Sequence, residues 1–356
     1  MSATEKLLPL EKYLEKRSSE PQNFPHNNID YFDRYKIIKN YLAREVYPNI
    51  HAGTSAEDGG IYTDHSIDHF NAVITYLGKL VNIDVNNLDK ELKISPYEIY
   101  VALVAILLHD AGNIFGRIGH EKKTFQIIKD IGPAACPDGF EGRSIAKIAT
   151  AHGGKFKKRD GELTKDTLSQ LAETSSLGGI SYRPRLIASL VRFADEICED
   201  RSRGVKYLLT RSALPKFSEV FHQYAESISS VDVDLLSKRI LIKYEIEEDD
   251  AKRKFGKGDS ENCVEVYLVD EINSRLEKMF HELIYCKNFM YEVCPLNKIR
   301  ADITIYSDNI DEIQESFELE QLGYPNEKFS FEVNYPNWKG EKIVEILNTK
   351  MGEAND

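Results

Sequence analysis

Ser95-Pro96-Tyr97-Glu98 opens a run of ten apolar residues, Ile99-Tyr100-Val101-Ala102-Leu103-Val104-Ala105-Ile106-Leu107-Leu108. His109-Asp110-Ala111-Gly112-Asn113 closes it. The opening reads as a helix start, with Ser95 as N-cap, Pro96 at the first helical position and Glu98 completing a capping box. The run is the longest apolar stretch of the chain, so the helix is expected to be buried all round. It is too short to span a membrane, which takes about 20 residues. Gly112 is a candidate terminator. The closing His109-Asp110 pair is the informative part, because an ionisable pair at the end of a core helix is costly unless something compensates it. A cation suits the negative end of the helix dipole, and a divalent metal is the simplest such cation.

Other helices are expected to deliver matching groups. The stripe Ile67, Phe70, Val73, Ile74, Leu77, Leu80 and Val81 marks a helix starting near Thr63. His69 shares the inner face with Val73, and His65 lies one turn earlier. Asp195 falls within an apolar helical stretch, 186–197, with Arg192 one turn before it. Three helices would thus bring His69, His109, Asp110 and Asp195 into one interior. Imidazole and carboxylate without thiolate suit Mn, Mg, Fe, Ni, Co or Zn.

The composition sets the outer limits. The chain has 356 residues, 42% hydrophobic and 29% charged, enough for one large core or two domains. A net charge of -12 argues against general nucleic-acid binding. Five scattered cysteines without a Cys-x-x-Cys spacing suit a reducing cytosol. The N-terminal residues have no signal-peptide character, so a cytoplasmic, non-membrane protein is expected.

Along the chain, helices are expected at 31–46, 121–131, 142–151, 167–173 and 183–200, with a loop at 47–61. The pattern changes near residue 235. Strands are expected at 239–246, 263–269, 299–306 and 329–333, with a charged connector at 247–262 and helices at 271–291 and 338–351. The fold class is mainly α: a helical domain over 25–235, preceded by an extension at 1–24, and a smaller α+β module over 236–356. Tyr335, Pro336 and Trp338 are read as core packing rather than a contact surface.

Five motifs together resemble the HD superfamily of metal-dependent phosphohydrolases, and in particular its HD-CE branch from bacterial conflict systems. They are His69-x-x-x-Val73, Leu107-Leu108-His109-Asp110-Ala111-Gly112-Asn113, Gly119-His120-Glu121-Lys122, Ala151-His152-Gly153-Gly154 and Leu190-Val191-Arg192-Phe193-Ala194-Asp195-Glu196. The resemblance covers about 25–210, and more loosely the C-terminal module. It implies an all-helical core with His69, His109, Asp110 and Asp195 as ligands. Two-metal members carry further histidines between the His-Asp pair and the last Asp, and His120 and His152 stand there, so one or two divalent ions are implied. Cyclic-dinucleotide phosphodiesterases of the superfamily have Lys after His-Asp-x-Gly; Asn113 here disfavours that subfamily. The only Gly-Tyr-Pro, at 323–325, lies far outside the core.

The implied activity is hydrolysis of a nucleotide phosphoester by metal-activated water, in an antiviral defence setting. Asp110, His120 and His152 are the candidate catalytic groups. Phosphate oxygens need cations. Lys155, within the run Lys155 to Arg159, and Arg192, Arg201 and Arg203 are the candidate substrate contacts; Arg117, Lys122 and Arg143 are weaker ones. The expected partners are a nucleotide or short nucleic-acid substrate, with a homo-oligomer or a defence-system protein as further candidates. The alternatives are a single-strand nuclease and a catalytically silent, metal-binding regulatory module.

Overall fold

The computed structural model describes residues 6–50, 67–116, 119–136, 138–158, 161–199, 214–259, 261–308, 310–321 and 329–353. They divide into two compact units. The first takes the described residues up to 50, then 67–198 and 286–295; the second takes 199–285 and 296–353. Of the residues placed with the helical domain on sequence, 199 and 214–235 group with the second unit.

The first unit is built around the Pro96–Leu108 helix, whose residues 97–108 are all buried. Its capping box forms as the sequence indicates: Ser95 Oγ accepts from Glu98 N at 3.2 Å, and Glu98 Oε2 accepts from Ser95 N at 2.9 Å. Glu98 also receives Arg183, with Nε to Oε1 and Nη2 to Oε2 both at 2.8 Å. Arg183 caps the Pro184–Glu196 helix. The two helices are therefore pinned together where they begin. Each has 13 residues, about 20 Å at the α-helical rise. Equal lengths from a common anchor bring their C-terminal ends level, and those ends carry His109-Asp110 and Asp195. Among the described residues one stretch, Pro96–Phe115, is long and apolar enough to cross a membrane, and 89% of its most apolar window is buried inside the fold.

Several elements depart from expectation. The Tyr31–Tyr41 helix runs into a π-turn, Leu42–Val46, and continues through residues 47–50 where a loop is expected. The continuation carries Tyr47, whose hydroxyl donates to the Leu107 carbonyl at 2.8 Å and whose ring stacks on Phe70 at 4.2 Å. That tertiary contact outweighs Pro48, which a helix tolerates near a register change. The core is not all-helical. Two short hairpins interrupt it, Phe156–Lys157 with Leu163–Thr164 and Ser175–Leu177 with Ile180–Tyr182. The helix expected at 167–173 shrinks to a 3-10 turn, Leu168–Gln170.

The second unit is α+β. A four-stranded sheet has the order Ile310–Glu320, Lys298–Ser307, Arg239–Glu247, Ile228–Asp234. The two central strands are parallel and the outer pairings antiparallel. Ile240, Ile242, Tyr244 and Ile246 are buried, as are Ile299, Ala301, Ile303 and Ile305, so one face of the sheet is apolar. The parallel pair requires a long crossover. It contains the short helix Glu248–Lys252, a hairpin of Lys254–Gly258 with Cys263–Tyr267, and the helix Leu268–Met290. The expected connector is thus structured, and the strand expected at 329–333 is replaced by a helical turn, Phe331–Asn334. Trp338 is buried, its ring 4.9 Å from that of Phe317, in keeping with core packing.

Candidate metal centre

The Ile67–Leu80 helix turns His69 inward together with Phe70 and Val73. Phe70 meets the His109 ring edge-on at 5.4 Å. The core helix ends at Leu108 with His109 as its C-cap, and a 3-10 turn, Ala111–Phe115, follows. Gly112 therefore does not terminate the helix. Its task is close approach: a Cβ there would lie 2.0 Å from the His120 carbonyl oxygen. Removing that atom lets His120 sit over Asp110.

Asp110 is the hub. Its Oδ2 lies 3.4 Å from His109 Nε2, and its Oδ1 lies 3.0 Å from His120 Nε2 and 3.5 Å from His152 Nε2. Asp195 Oδ1 lies 3.4 Å from His69 Nε2 and 3.5 Å from His109 Nε2. Two groupings can hold an ion: His69, His109 and Asp110, and then Asp110, His120 and His152. The set grades from dry to open. His69 and His109 are buried, while the side chains of His120 and Asp195 are 20% and 26% exposed.

These donors fit a divalent metal. His109 Nδ1–H donates to the Ile106 carbonyl at 2.7 Å, and His152 Nδ1–H donates to the Ala149 carbonyl at 2.7 Å. A carbonyl only accepts, so the proton of each neutral ring sits on Nδ1 and the Nε2 lone pair faces the carboxylates. His109 Nε2 is buried and makes no hydrogen bond. Lone pairs facing carboxylate oxygens in a dry interior demand a positive charge between them. The electrostatics agree. Burial alone would lower the His109 pKa, yet Asp110 and Asp195 outweigh it and hold the imidazole well above its ordinary value. Burial would raise both carboxyls, but the charge that His109 carries when protonated, with the other histidines beside them, holds Asp110 and Asp195 well below theirs. A bound divalent ion would take the place of the proton on His109.

The structure thus brings His69, His109, Asp110, His120, His152 and Asp195 together. It engages Arg192 differently from expectation. Arg192 is 6% exposed, and its Nη1 donates to Thr167 Oγ1 at 2.9 Å and lies 3.4 Å from the Ala151 carbonyl. Thr167 Oγ1 also donates to that carbonyl at 2.7 Å. Arg192 therefore buttresses the residue preceding His152 instead of facing open space. Lys155 lies on the wall of a cavity of about 490 Å³ next to His152, as does Arg143. His65, Arg117, Arg159, Arg201 and Arg203 lie outside the described residues. The sequence reading missed Lys147, on the same cavity wall, and Cys198, whose Sγ is 3.9 Å from His69 Nδ1. Neither belongs to a local motif; only the arrival of distant segments reveals them.

A buried cluster of histidines and aspartates that could hold a divalent metal, collected by several helices, is the centre of a domain of the HD type. The chain belongs to the HD-CE family, whose family model matches residues 60–278, more than half of its length. No curated protein and no solved structure matches it significantly.

Proposed function

We propose that the protein is a metal-dependent phosphohydrolase acting on a nucleotide phosphoester. One observation carries the reading: a single carboxylate, Asp110, is shared by two histidine groupings, each able to hold an ion. His69, His109, Asp110 and Asp195 would hold one ion, and Asp110, His120 and His152 a second. Divalent metal bound there supplies Lewis acidity toward a phosphoryl oxygen and acidifies water near neutral pH.

The chain's own residues do the rest. Ile106 and Ala149 carbonyls fix the ring orientations of His109 and His152. The buried side of the site keeps bulk water from His69 and His109. With only the His69–His109 grouping loaded, His120, the most exposed of the four histidines, would instead be placed to accept a proton from attacking water at Nε2 and return it to the leaving oxygen. In that step the water oxygen bonds to phosphorus, the P–O ester bond breaks, and the proton ends on the released hydroxyl. A cytoplasmic location, a role in antiphage defence and a partner protein or second copy in that setting are parts of the same proposal, supported by family membership.

The test is turnover of nucleoside triphosphates, cyclic nucleotides and short oligonucleotides with Mn²⁺, Mg²⁺ or Ni²⁺, by wild type and Asp110→Ala. Product masses name the bond. Turnover that survives in Asp110→Ala overturns the assignment. Absence of turnover in wild type that still binds metal points to the regulatory alternative.

A further inference from the structure

Beyond His152 the chain forms one wall of the cavity of about 490 Å³, from Ala151 to Phe156. The Gly139–Thr150 helix and Phe125 supply much of the remainder. Among the described residues, three cations line it, Arg143, Lys147 and Lys155, and no Asp or Glu does. The chain carries 58 acidic residues against 46 basic ones, so an all-cationic wall runs against its composition. Some exposed lysines elsewhere on this unit have an acidic partner, Lys16 with Asp89 at 2.5 Å, Lys36 with Asp33 at 2.7 Å and Lys158 with Glu162 at 2.6 Å. Among the described residues, no hydrogen bond or ion pair engages the side chains of Arg143, Lys147 or Lys155. Three unneutralised cations around one hollow call for an anionic ligand.

The shape narrows the class. Arg143 and Lys147 stand one turn apart on a helix, about 6 Å along its axis, and Lys155 lies on a separate segment. Cations spread over a helix and a separate segment can follow a chain of phosphoryls. Phe125 and Phe156 line the same cavity, and Phe156 is 39% exposed, offering apolar ring surface to a base. The volume falls within the range of about 300–1,000 Å³ for small-molecule sites. We infer that this cavity binds a nucleotide carrying more than one phosphate. The phosphates lie on Arg143, Lys147 and Lys155, and the base lies against Phe125 and Phe156. Ala151 and Gly153, which line the cavity, flank His152 in the chain. Arg192 and Thr167, which hold the Ala151 carbonyl, are positioning residues for this edge. The inference rests on the phosphohydrolase reading for its chemistry, but binding is separable from turnover.

The experiment is calorimetric titration of the full chain with ATP, GTP, inorganic tripolyphosphate, a nucleoside and a short single-stranded oligonucleotide. Wild type, Arg143→Glu/Lys147→Glu and Lys158→Ala are compared. A nucleoside triphosphate is expected to bind more tightly than the nucleoside or tripolyphosphate. The double charge reversal is expected to weaken it at least tenfold with metal content and melting temperature unchanged, and Lys158→Ala is expected to have little effect. If the double variant proves unstable, Lys155→Glu repeats the test from the loop side. Triphosphate binding indifferent to these reversals, no triphosphate binding, or tighter binding of the oligonucleotide overturns the inference. Cavity-dependent binding without turnover of any phosphoester sinks the proposed activity and leaves the cavity assignment standing; turnover with binding insensitive to the variants does the reverse.

Discussion

His109 and His152 are held by the same device. Each donates Nδ1–H at 2.7 Å to a carbonyl three residues earlier in its own segment, Ile106 and Ala149. Each then presents Nε2 to Asp110, at 3.4 Å and 3.5 Å on different carboxylate oxygens. Two separate helix ends therefore deliver pre-oriented imidazoles to the two oxygens of one carboxylate. Their ring planes meet at 77°, with centroids 4.8 Å apart, so neither blocks the other.

This geometry links metal to protons. In metal-free protein the raised His109 pKa stabilises the fold fully below about pH 6.5, the unfolded imidazole value, and that contribution disappears as pH rises through the folded value. The lowered Asp110 and Asp195 values act oppositely: their contribution is present above about pH 4 and lost as pH falls through the folded values. Metal needs a neutral His109, so its affinity rises with pH. The melting-temperature gain on adding Mn²⁺ should therefore grow between about pH 6 and about pH 8, while chelated protein loses stability over the same range. A gain that shrinks with rising pH would contradict the ligand assignment.

The two groupings around Asp110 should respond separately to mutation. His152→Ala is expected to remove about one equivalent of metal and leave the His69–His109 grouping loaded, whereas Asp110→Ala removes most of both. Loss of one coordination partner typically costs at least tenfold in affinity. Elemental analysis of dialysed protein checks this, and equal metal content in the two variants would argue against a shared carboxylate.

Gly112→Ala tests the close approach directly. The new Cβ would meet the His120 carbonyl oxygen, which is backbone and cannot swing aside. A cost of about 1–3 kcal/mol is expected, with His120 displaced from Asp110. Chemical denaturation reads the first effect, and metal stoichiometry the second. Wild-type values of both would mean that the 111–120 segment is looser than its packing implies.

The Arg183–Glu98 link is the anchor that levels the two ligand-bearing helices. Glu98 is 2% exposed and accepts from Ser95 N, Arg183 N and the Arg183 guanidinium. Glu98→Ala should destabilise the protein by about 2–4 kcal/mol, because it strands a partly buried guanidinium and removes a helix cap. Arg183→Lys, which keeps the charge but not the fork, should recover only part of that. A denaturation midpoint unchanged in Glu98→Ala would remove this link from the account.

Much of the second unit was hidden from the sequence for a physical reason. Residues 310–320 are Ile-Asp-Glu-Ile-Gln-Glu-Ser-Phe-Glu-Leu-Glu, poor in β-formers. They form a strand because their backbone pairs with Lys298–Ser307 and because Lys298 and Arg300 meet Glu318 and Ser316 across it. The Lys254–Gly258 strand likewise exists only through its pairing with Cys263–Tyr267. Strand propensity is a property of neighbours, and a single chain segment does not display its neighbours.

What the sequence determined by itself was local. Ser95, Pro96 and Glu98 cap a helix, ten apolar residues bury it, and a His-Asp pair at its end requires a compensating charge; each follows from residues within one or two turns of each other. The tertiary structure alone decided how His120 and His152 reach the same Asp110, why Gly112 must lack a side chain, and that Arg192 braces a carbonyl while Arg143, Lys147 and Lys155 gather around one cavity. Those outcomes depend on segments tens of residues apart arriving at one place, and it is packing and backbone pairing, not periodicity or spacing, that brings them there.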